Sequence, residues 1–238
     1  MGKSLVIVGV DYSNVKVGIS DGTDNPTTPS GCAYFIPLVE SSAPTKGSLQ
    51  VNKENATYSG DGALIDQSGE GISYTLPDGV VVKAVAMDFK KLPSTSITTN
   101  YFFFNVGDYK GNYNTQGNGA YLWWNRSTNK ISTCQMSDGE QPQDVDPFSD
   151  VVTRDSFHRV CVASINGKFV MYMDGERVSP NNVLQFATHY NVGNIVIGNS
   201  WRYYANDGDR AFGGYIRNVA IWTEEISESD MAEFSTLK

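Results

Sequence analysis

Short hydrophobic runs separated by polar turn residues recur along most of the chain, a pattern typical of β-strands. From about residue 48 onward the runs follow one another at regular spacing, with Gly, Asn and Asp between them. Many short strands at this spacing are typical of a β-sandwich or jelly roll. The predicted strands are 48–52, 56–58, 63–66, 71–76, 80–90, 100–106, 119–125, 130–136, 157–165, 168–173, 176–178, 194–198 and 212–222.

The stretch 157–178 carries the strongest local signal for strands. Asn166-Gly167 and Asp174-Gly175 are preferred centres of two-residue hairpin turns, in which both residues take positive φ angles. The run between the two turns, Lys168 to Met173, has the length of one strand. This stretch therefore predicts three consecutive antiparallel strands.

The two ends of the chain differ from the regular middle. Residues 1–45 contain a short apolar run at 5–10, a loop rich in Gly, Asp, Pro and Thr, and a second run at 33–39 that Pro37 would confine to a sheet edge. Near the other end, Ser227 with Asp230 three residues later predicts the start of a short helix. We predict an N-terminal arm with edge strands over 1–45 and one jelly-roll domain over 46–238.

Three segments of the C-terminal half resemble a known family. Residues 157–178, "FHRVCVASINGKFVMYMDGERV", are similar to a "W-H-x-V-A" strand followed by a "Y-x-D-G" hairpin, with Phe157 in place of the usual Trp. "NIVIGNS" at 194–200 resembles an "I-x-I-G" strand, and "FGGYIRNVAIWTEEISESDM" at 212–231 resembles the closing "F-x-G-x-I-D-x-V-x-I-Y" pattern. The chain thus resembles the laminin-G-like branch of the concanavalin A-like lectin/glucanase superfamily. The resemblance implies an all-β jelly-roll sandwich of two curved antiparallel sheets.

The charge of the chain narrows the choice of partner. The net charge is −8 and the pI is about 4.7, whereas binding to nucleic acid needs a basic surface. No stretch is apolar for long enough to span a membrane, and the run at 5–10 is too short for a secretory signal. Either the protein is not secreted by that route or a signal has been removed. We expect a glycan or a protein as ligand, and an extracellular, cell-surface or virion-associated location.

Paired carboxylates on one strand would indicate a glycosidase. Glycosidases of this superfamily carry acids two residues apart on one strand, so that both flank one glycosidic bond. Asp174 and Glu176 have this spacing but straddle a hairpin turn, and Asp144 and Asp146 lie in a Pro-flanked loop. The chain has two histidines, and no Ser or Cys has an evident His and Asp to complete a catalytic triad. We therefore expect no catalytic residues.

Aromatic residues next to polar ones predict the ligand site. Alternation along 119–125 places Tyr121, Trp123 and Asn125 on one face and Leu122 with Trp124 on the other. Since Leu122 indicates the core side, Trp123 would face the open concave sheet; the alternative is that both tryptophans are core residues. The alternative for the polar loop between two predicted strands is that its aromatic rings pack over an edge of the sandwich. Otherwise this loop supplies the other candidates: Trp201, Arg202, Tyr203, Tyr204 and Asp207.

Two acidic loops could bind calcium, because hard cations need several oxygen ligands within reach. The first candidate loop contains Asn206, Asp207 and Asp209. The second loop contains Asp138, Glu140, Asp144 and Asp146. The alternative for both loops is a solvated turn rich in Asp and Gly.

Three cysteines, an odd count, match no metal-binding spacing. Cys161 lies in an apolar strand, so a buried free thiol is predicted there. The sequence leaves a disulfide between Cys32 and Cys134 as a possibility that nothing else supports.

These observations favour a non-catalytic binding module, most simply one that recognises carbohydrate. The first alternative is protein–protein adhesion or a structural component of a phage or cell surface. The second is a glycoside hydrolase or lyase with displaced acids. Calcium is the one cofactor that the sequence suggests.

Trp201→Ala tests the loop assignment. We expect weaker glycan binding, because the ring on which a sugar would stack is lost, and unchanged folding, because a polar loop contributes little to the core. Affinity measured by calorimetry, together with the thermal unfolding midpoint, checks this. Normal affinity in the variant would remove the loop from the site.

Overall fold

The computed structural model describes residues 27–93, 101–112, 115–125, 129–136, 143–145, 152–166, 168–178, 194–200 and 211–237. The strands are β1 Tyr34–Ile36, β2 Gln50–Asn55, β3 Thr57–Ser59, β4 Gly62–Ile65, β5 Gly71–Thr75, β6 Ala84–Lys91, β7 Tyr101–Asn112, β8 Thr115–Asn125, β9 Lys130–Met136, β10 Gln143–Val145, β11 His158–Ile165, β12 Lys168–Met173, β13 Glu176–Arg177, β14 Asn194–Ile197 and β15 Gly214–Trp222. Helix α1 is Glu228–Phe234.

The strands form two antiparallel sheets packed face to face. The eight-stranded sheet has the order β13-β12-β11-β6-β15-β4-β3, and β1 pairs with the second half of β15. The seven-stranded sheet has the order β10-β9-β8-β7-β14-β5-β2. This arrangement confirms the predicted all-β jelly-roll sandwich. Strand β1 is an edge strand within the predicted arm, and the division at residues 45 and 46 stays a prediction.

The local signals that predicted turns and caps are present in the structure. Asn166 and Asp174 have φ angles of 49° and 52°, and β11, β12 and β13 are consecutive antiparallel neighbours. Ser227 accepts a hydrogen bond from the backbone N–H of Asp230, whose carboxylate accepts one from the backbone N–H of Ser227. The predicted meander and the predicted helix start are both confirmed.

The sequence missed two features of the seven-stranded sheet. Strand β10 lies between the predicted strands 130–136 and 157–165, where the sequence predicted an acidic loop, and it pairs with β9. Strands β7 and β8 continue through residues 107–112 and 115–118, a stretch rich in Gly and Asn. Cross-strand pairing supplies the stability that local strand propensity does not, so propensity alone missed these segments.

Aromatic rings fill the space between the sheets. The ring of Phe89 stacks on Phe103 at 5.3 Å and meets Phe212 edge-on at 6.1 Å and Trp124 at 6.5 Å. The side chain of Trp124 is fully buried in this core. For Trp124, therefore, the structure agrees with the core assignment.

A second apolar cluster covers the outer side of the eight-stranded sheet. Helix α1 and the segment around β1 contribute to it, and Trp222 stacks on Phe234 at 4.9 Å between ring centroids. Cys32 and Cys161 are both buried free thiols in this cluster. The buried thiol predicted at Cys161 is confirmed, and the free state of Cys32 excludes its disulfide with Cys134.

A buried carboxylate ties the centre of this sheet to the helix. Asp88 of β6 is 3 % exposed and accepts hydrogen bonds from Arg159 of β11 and, at 2.7 Å and 3.3 Å, from Asn218 and Arg217 of β15. Arg159 also donates to the carbonyl of Phe234 at the end of α1. One carboxylate thus joins three strands, and its arginine partner joins them to the helix.

Among the described residues there is no helix with the length and apolar character that crossing a membrane requires.

Asp88→Asn should lower the free energy of unfolding by about 3–5 kcal/mol, because it leaves a buried guanidinium without its countercharge. Asp61→Asn is the matched control: Asp61 is half-exposed and pairs with Lys90 at 2.8 Å, and exposed ion pairs contribute at most about 1 kcal/mol. Urea unfolding of both variants checks the difference. Equal effects would contradict the role given to Asp88.

Lys91 should make stability depend on pH. Its side chain is 1 % exposed and donates to the carbonyl of Gly213 at 2.9 Å; burial, with the nearby Arg154 charge, lowers the pKa of Lys91 from 10.5 to about 7. Between these two values the unfolded chain holds the proton that the folded chain has lost, so stability rises with pH. Relative to Lys91→Met, the free energy of unfolding should increase from pH 7 to pH 10. A constant difference across that range would contradict this.

Candidate functional site

The seven-stranded sheet has an outer face, defined here as the surface turned away from the aromatic core. On β8, Leu122 and Trp124 belong to the core, whereas Trp123 lies between them on the outer face. On β14, Ile195 and Ile197 belong to the core and Val196 lies on the outer face. Period-two alternation thus assigns the outward positions of each strand.

The first outer-face row is almost fully covered. Asn105 of β7 lies opposite Tyr121 of β8 and Val196 of β14, and Val196 lies opposite Ser73 of β5. Ser132 of β9 lies opposite Trp123, one row along. The exposed fractions are 4 % for Asn105, 8 % for Trp123, 1 % for Ser132 and 0 % for Ser73. A tryptophan thus shares a shielded surface with small polar side chains.

The chain after β14 folds back onto this row. The side-chain amide of Asn105 donates to the carbonyl of Asn199, whose own amide donates to the carbonyl of Glu70 at 2.6 Å. The backbone N–H of Ser200 bonds to the side-chain oxygen of Asn199 at 2.7 Å. Ser200 is the last described residue before the predicted aromatic loop.

The second outer-face row is more open. Asn194 of β14 lies opposite Gly107 of β7 and Thr75 of β5, and Gly107 lies opposite Gly119 of β8. Asn194 and Thr75 are half-exposed, and the side-chain amide of Asn52 donates to the Thr75 hydroxyl at 2.6 Å. The outer face therefore changes from covered at Asn105 to accessible at Asn194.

Comparison with known families agrees with this architecture. Residues 83–232, well over half of the chain, match the laminin G family model of the concanavalin A-like lectin/glucanases superfamily. The chain belongs to this superfamily. No curated protein sequence matches it.

Solved structures share the fold of this laminin-G-like chain at low sequence identity. The CBM40 module of the Ruminococcus gnavus IT-sialidase bound to α2,3 sialyllactose is 15 % identical with a TM-score of 0.53, over 79 % of this chain and 98 % of the module. Trypanosoma rangeli sialidase in complex with sialic acid is 12 % identical with a TM-score of 0.60, over 87 % of this chain. The match spans 33 % of that sialidase, so this chain corresponds to about one third of it.

The predicted site residues of the laminin-G-like chain fall into three groups. Trp123 lies on the predicted face, but it is covered rather than set on an open concave surface. Asn125 is half-buried at the end of β8, and Tyr121 takes an outward position in the register although its side chain lies outside the described part. The described residues do not include Trp201, Arg202, Tyr203, Tyr204, Asn206, Asp207 or Asp209.

Sequence reasoning missed the polar members of the outer face. Asn105 follows three phenylalanines in a run that reads as core, and a bulge between Phe102 and Phe104 changes the alternation just before it. Ser132 and Asn194 have no distinguishing neighbours in the sequence. Their signal was a polar residue at an outward position of a central strand, and it could be recognised only with the register known.

A second polar cluster lies at the β12–β13 hairpin. Asp174 bonds to the ring Nδ1 of His158 at 2.6 Å and accepts the backbone N–H of Arg159 at 2.8 Å. The other ring nitrogen of His158 lies 2.9 Å from the Thr153 hydroxyl. Although burial acts to raise the pKa of Asp174, these hydrogen bonds hold it below its ordinary value. The cluster fastens the hairpin to the segment before β11.

Within the part of the chain that the structure describes, no group of three His, Cys, Asp or Glu side chains is arranged to hold a metal ion. Of the two predicted calcium loops, 206–209 lies outside the described residues; of 138–146, the structure describes only the backbone of β10.

Proposed function

We propose that this laminin-G-like chain is a non-catalytic carbohydrate-binding module whose ligand contacts the outer face of the seven-stranded sheet. The observation that carries the proposal is the composition of that face. Trp123 lies there among neutral amides and hydroxyls, and the side-chain oxygens of Asn105 and Ser132 have no hydrogen-bond partner among the described residues. Buried polar atoms of this kind are normally satisfied, by protein, water or ligand.

This combination suits the chemistry of a sugar. A pyranose ring presents C–H groups on its faces, which pack against an indole, and hydroxyls around its rim, which pair with amides and serines. The predicted aromatic loop follows Ser200, whose backbone N–H bonds to Asn199, the hydrogen-bond partner of Asn105. We propose that this loop belongs to the same site. Both candidate segments found in the sequence would then serve one ligand.

The fold neighbours support the same class of ligand. Two CBM40 structures have sialyllactose as the bound ligand. Nearly the whole length of one such module aligns with this chain. We propose that the correspondence extends to carbohydrate binding in general, without transfer of the particular sugar.

The absence of catalysis is part of the proposal. Glycoside hydrolysis needs two carboxyl groups facing each other across the scissile bond. Asp88 bonds to two arginines and an asparagine, and Asp174 bonds to His158 and a backbone N–H. Glu176, the other described acid singled out above, is exposed on β13 of the eight-stranded sheet. None of these three carboxylates belongs to the outer face of the seven-stranded sheet.

A glycan array probed with the purified protein, with and without calcium, tests the function. We expect reproducible binding to one class of sugar. Loss of binding on calcium removal would implicate loop 206–209 or loop 138–146. An array without signal would overturn the carbohydrate proposal and favour a protein ligand, to be sought by pull-down. Release of sugar from a bound glycan would contradict the non-catalytic role.

A further inference from the structure

We infer that one corner of the seven-stranded sheet binds the acidic group of a sugar, a carboxylate or a sulfate, through Arg154 and Lys130. The corner is defined by these two cations and Asn129, which precedes Lys130 in the chain and accepts a hydrogen bond from Arg154. The inference rests on the carbohydrate-binding role proposed above and adds to it the class of sugar.

Lys130 belongs to the outer face at the start of β9. Two residues along the same strand, Ser132 is an outward residue opposite Trp123. Lys130 lies opposite Asn125 in the next row, and period-two alternation turns it outward as well. It is half-exposed and makes no ion pair or hydrogen bond within the described part of the chain. Its ammonium group is therefore a cation on the face that carries Trp123.

Arg154 is exposed, yet neutral acceptors hold its guanidinium in place. The terminal nitrogens donate to the carbonyl of Pro93 at 3.1 Å and to the side-chain oxygen of Asn129 at 2.7 Å. The backbone N–H of Val152 bonds to the carbonyl of Asn129 at 2.9 Å, so the segment before β11 is fixed against the same residue. A guanidinium has five N–H groups, and these bonds use two of them. The others remain for a ligand.

The charge of Arg154 has no acidic partner in the described part of the chain. The three other arginines described there each form an ion pair with an Asp or a Glu. Asp155 follows Arg154 in the chain, but no ion pair joins the two side chains. Burial lowers the pKa of the nearby Lys91, and the charge of Arg154 lowers it further. The corner thus carries positive charge that the neighbouring side chains do not balance.

This arrangement selects an oxyanion. A guanidinium forms charge-assisted hydrogen bonds with carboxylates and sulfates that are about twice as strong as neutral ones. Because two hydrogen bonds already orient Arg154, part of the entropy cost of ordering its side chain is met before the ligand arrives. The net charge of the chain is −8, so its overall field opposes anions and their binding requires a local cation site. The amides and hydroxyls of the outer face suit the hydroxyls of the same sugar.

An array of matched oligosaccharides tests the inference. Uronic-acid and sialic-acid glycans are compared with their methyl esters, and sulfated glycans with the unsulfated forms, so the two arms show which acidic group is bound. We expect the acidic member of a pair to bind about ten- to hundredfold more tightly, the effect of a hydrogen bond to a charged group. That preference should decrease as the salt concentration rises.

Three variants assign the preference to the corner. Arg154→Gln should bring the affinity for the acidic member close to that for the neutral one, and Lys130→Gln should reduce the preference about two- to threefold. Arg177→Gln is the matched control and should keep the preference, because it removes the same charge from an exposed arginine of the eight-stranded sheet. Thermal unfolding shows that each variant is folded.

The ratio of the two affinities is measured within one variant, so a loss of stability alone leaves it unchanged. An unchanged ratio in Arg154→Gln would overturn the inference. Equal binding of acidic and neutral glycans by the wild type would do the same, while the carbohydrate role stands. A wild-type protein that binds no glycan would instead overturn the proposed function, and the inference with it.

Discussion

Much of the fold depends on the hydrogen bonds and ion pairs that the buried carboxylate of Asp88 makes. It lies in the middle of β6, where three side chains from two neighbouring strands converge on its two oxygens. One of them, Asn218, takes a positive φ angle at the bulge of β15, so the bulge and the carboxylate stabilise each other. Through Arg159 the same network fixes the end of α1. Burying a charge without partners costs free energy, and here the hydrogen bonds from all three side chains offset that cost.

The two sheets of the sandwich differ in what covers their outer sides. Helix α1 and the segment around β1 cover much of the outer side of the eight-stranded sheet, with Cys161 and Trp222 beneath them. The outer face of the seven-stranded sheet instead carries amides, hydroxyls and glycines, and around Asn194 it is accessible. The two outer sides of the sandwich thus differ in composition, one apolar and covered, the other polar.

Membership of the superfamily establishes the fold, whereas the identity of the ligand depends on the residues of the binding site. Neighbours that share less than a fifth of their residues with this chain have a similar fold. Recognition depends on individual outward residues, which are free to change without affecting the core.

Local chemistry was sufficient to predict most of the fold. The hairpins at Asn166 and Asp174, the cap at Ser227 and most strands could be predicted because turn geometry and alternation depend on neighbours in sequence. Tertiary structure alone decided that Trp123 is covered, that β10 pairs, and that Asn105 meets Asn199, ninety-four positions away. Burial and register are set by strands distant in the chain, and no local pattern contains them.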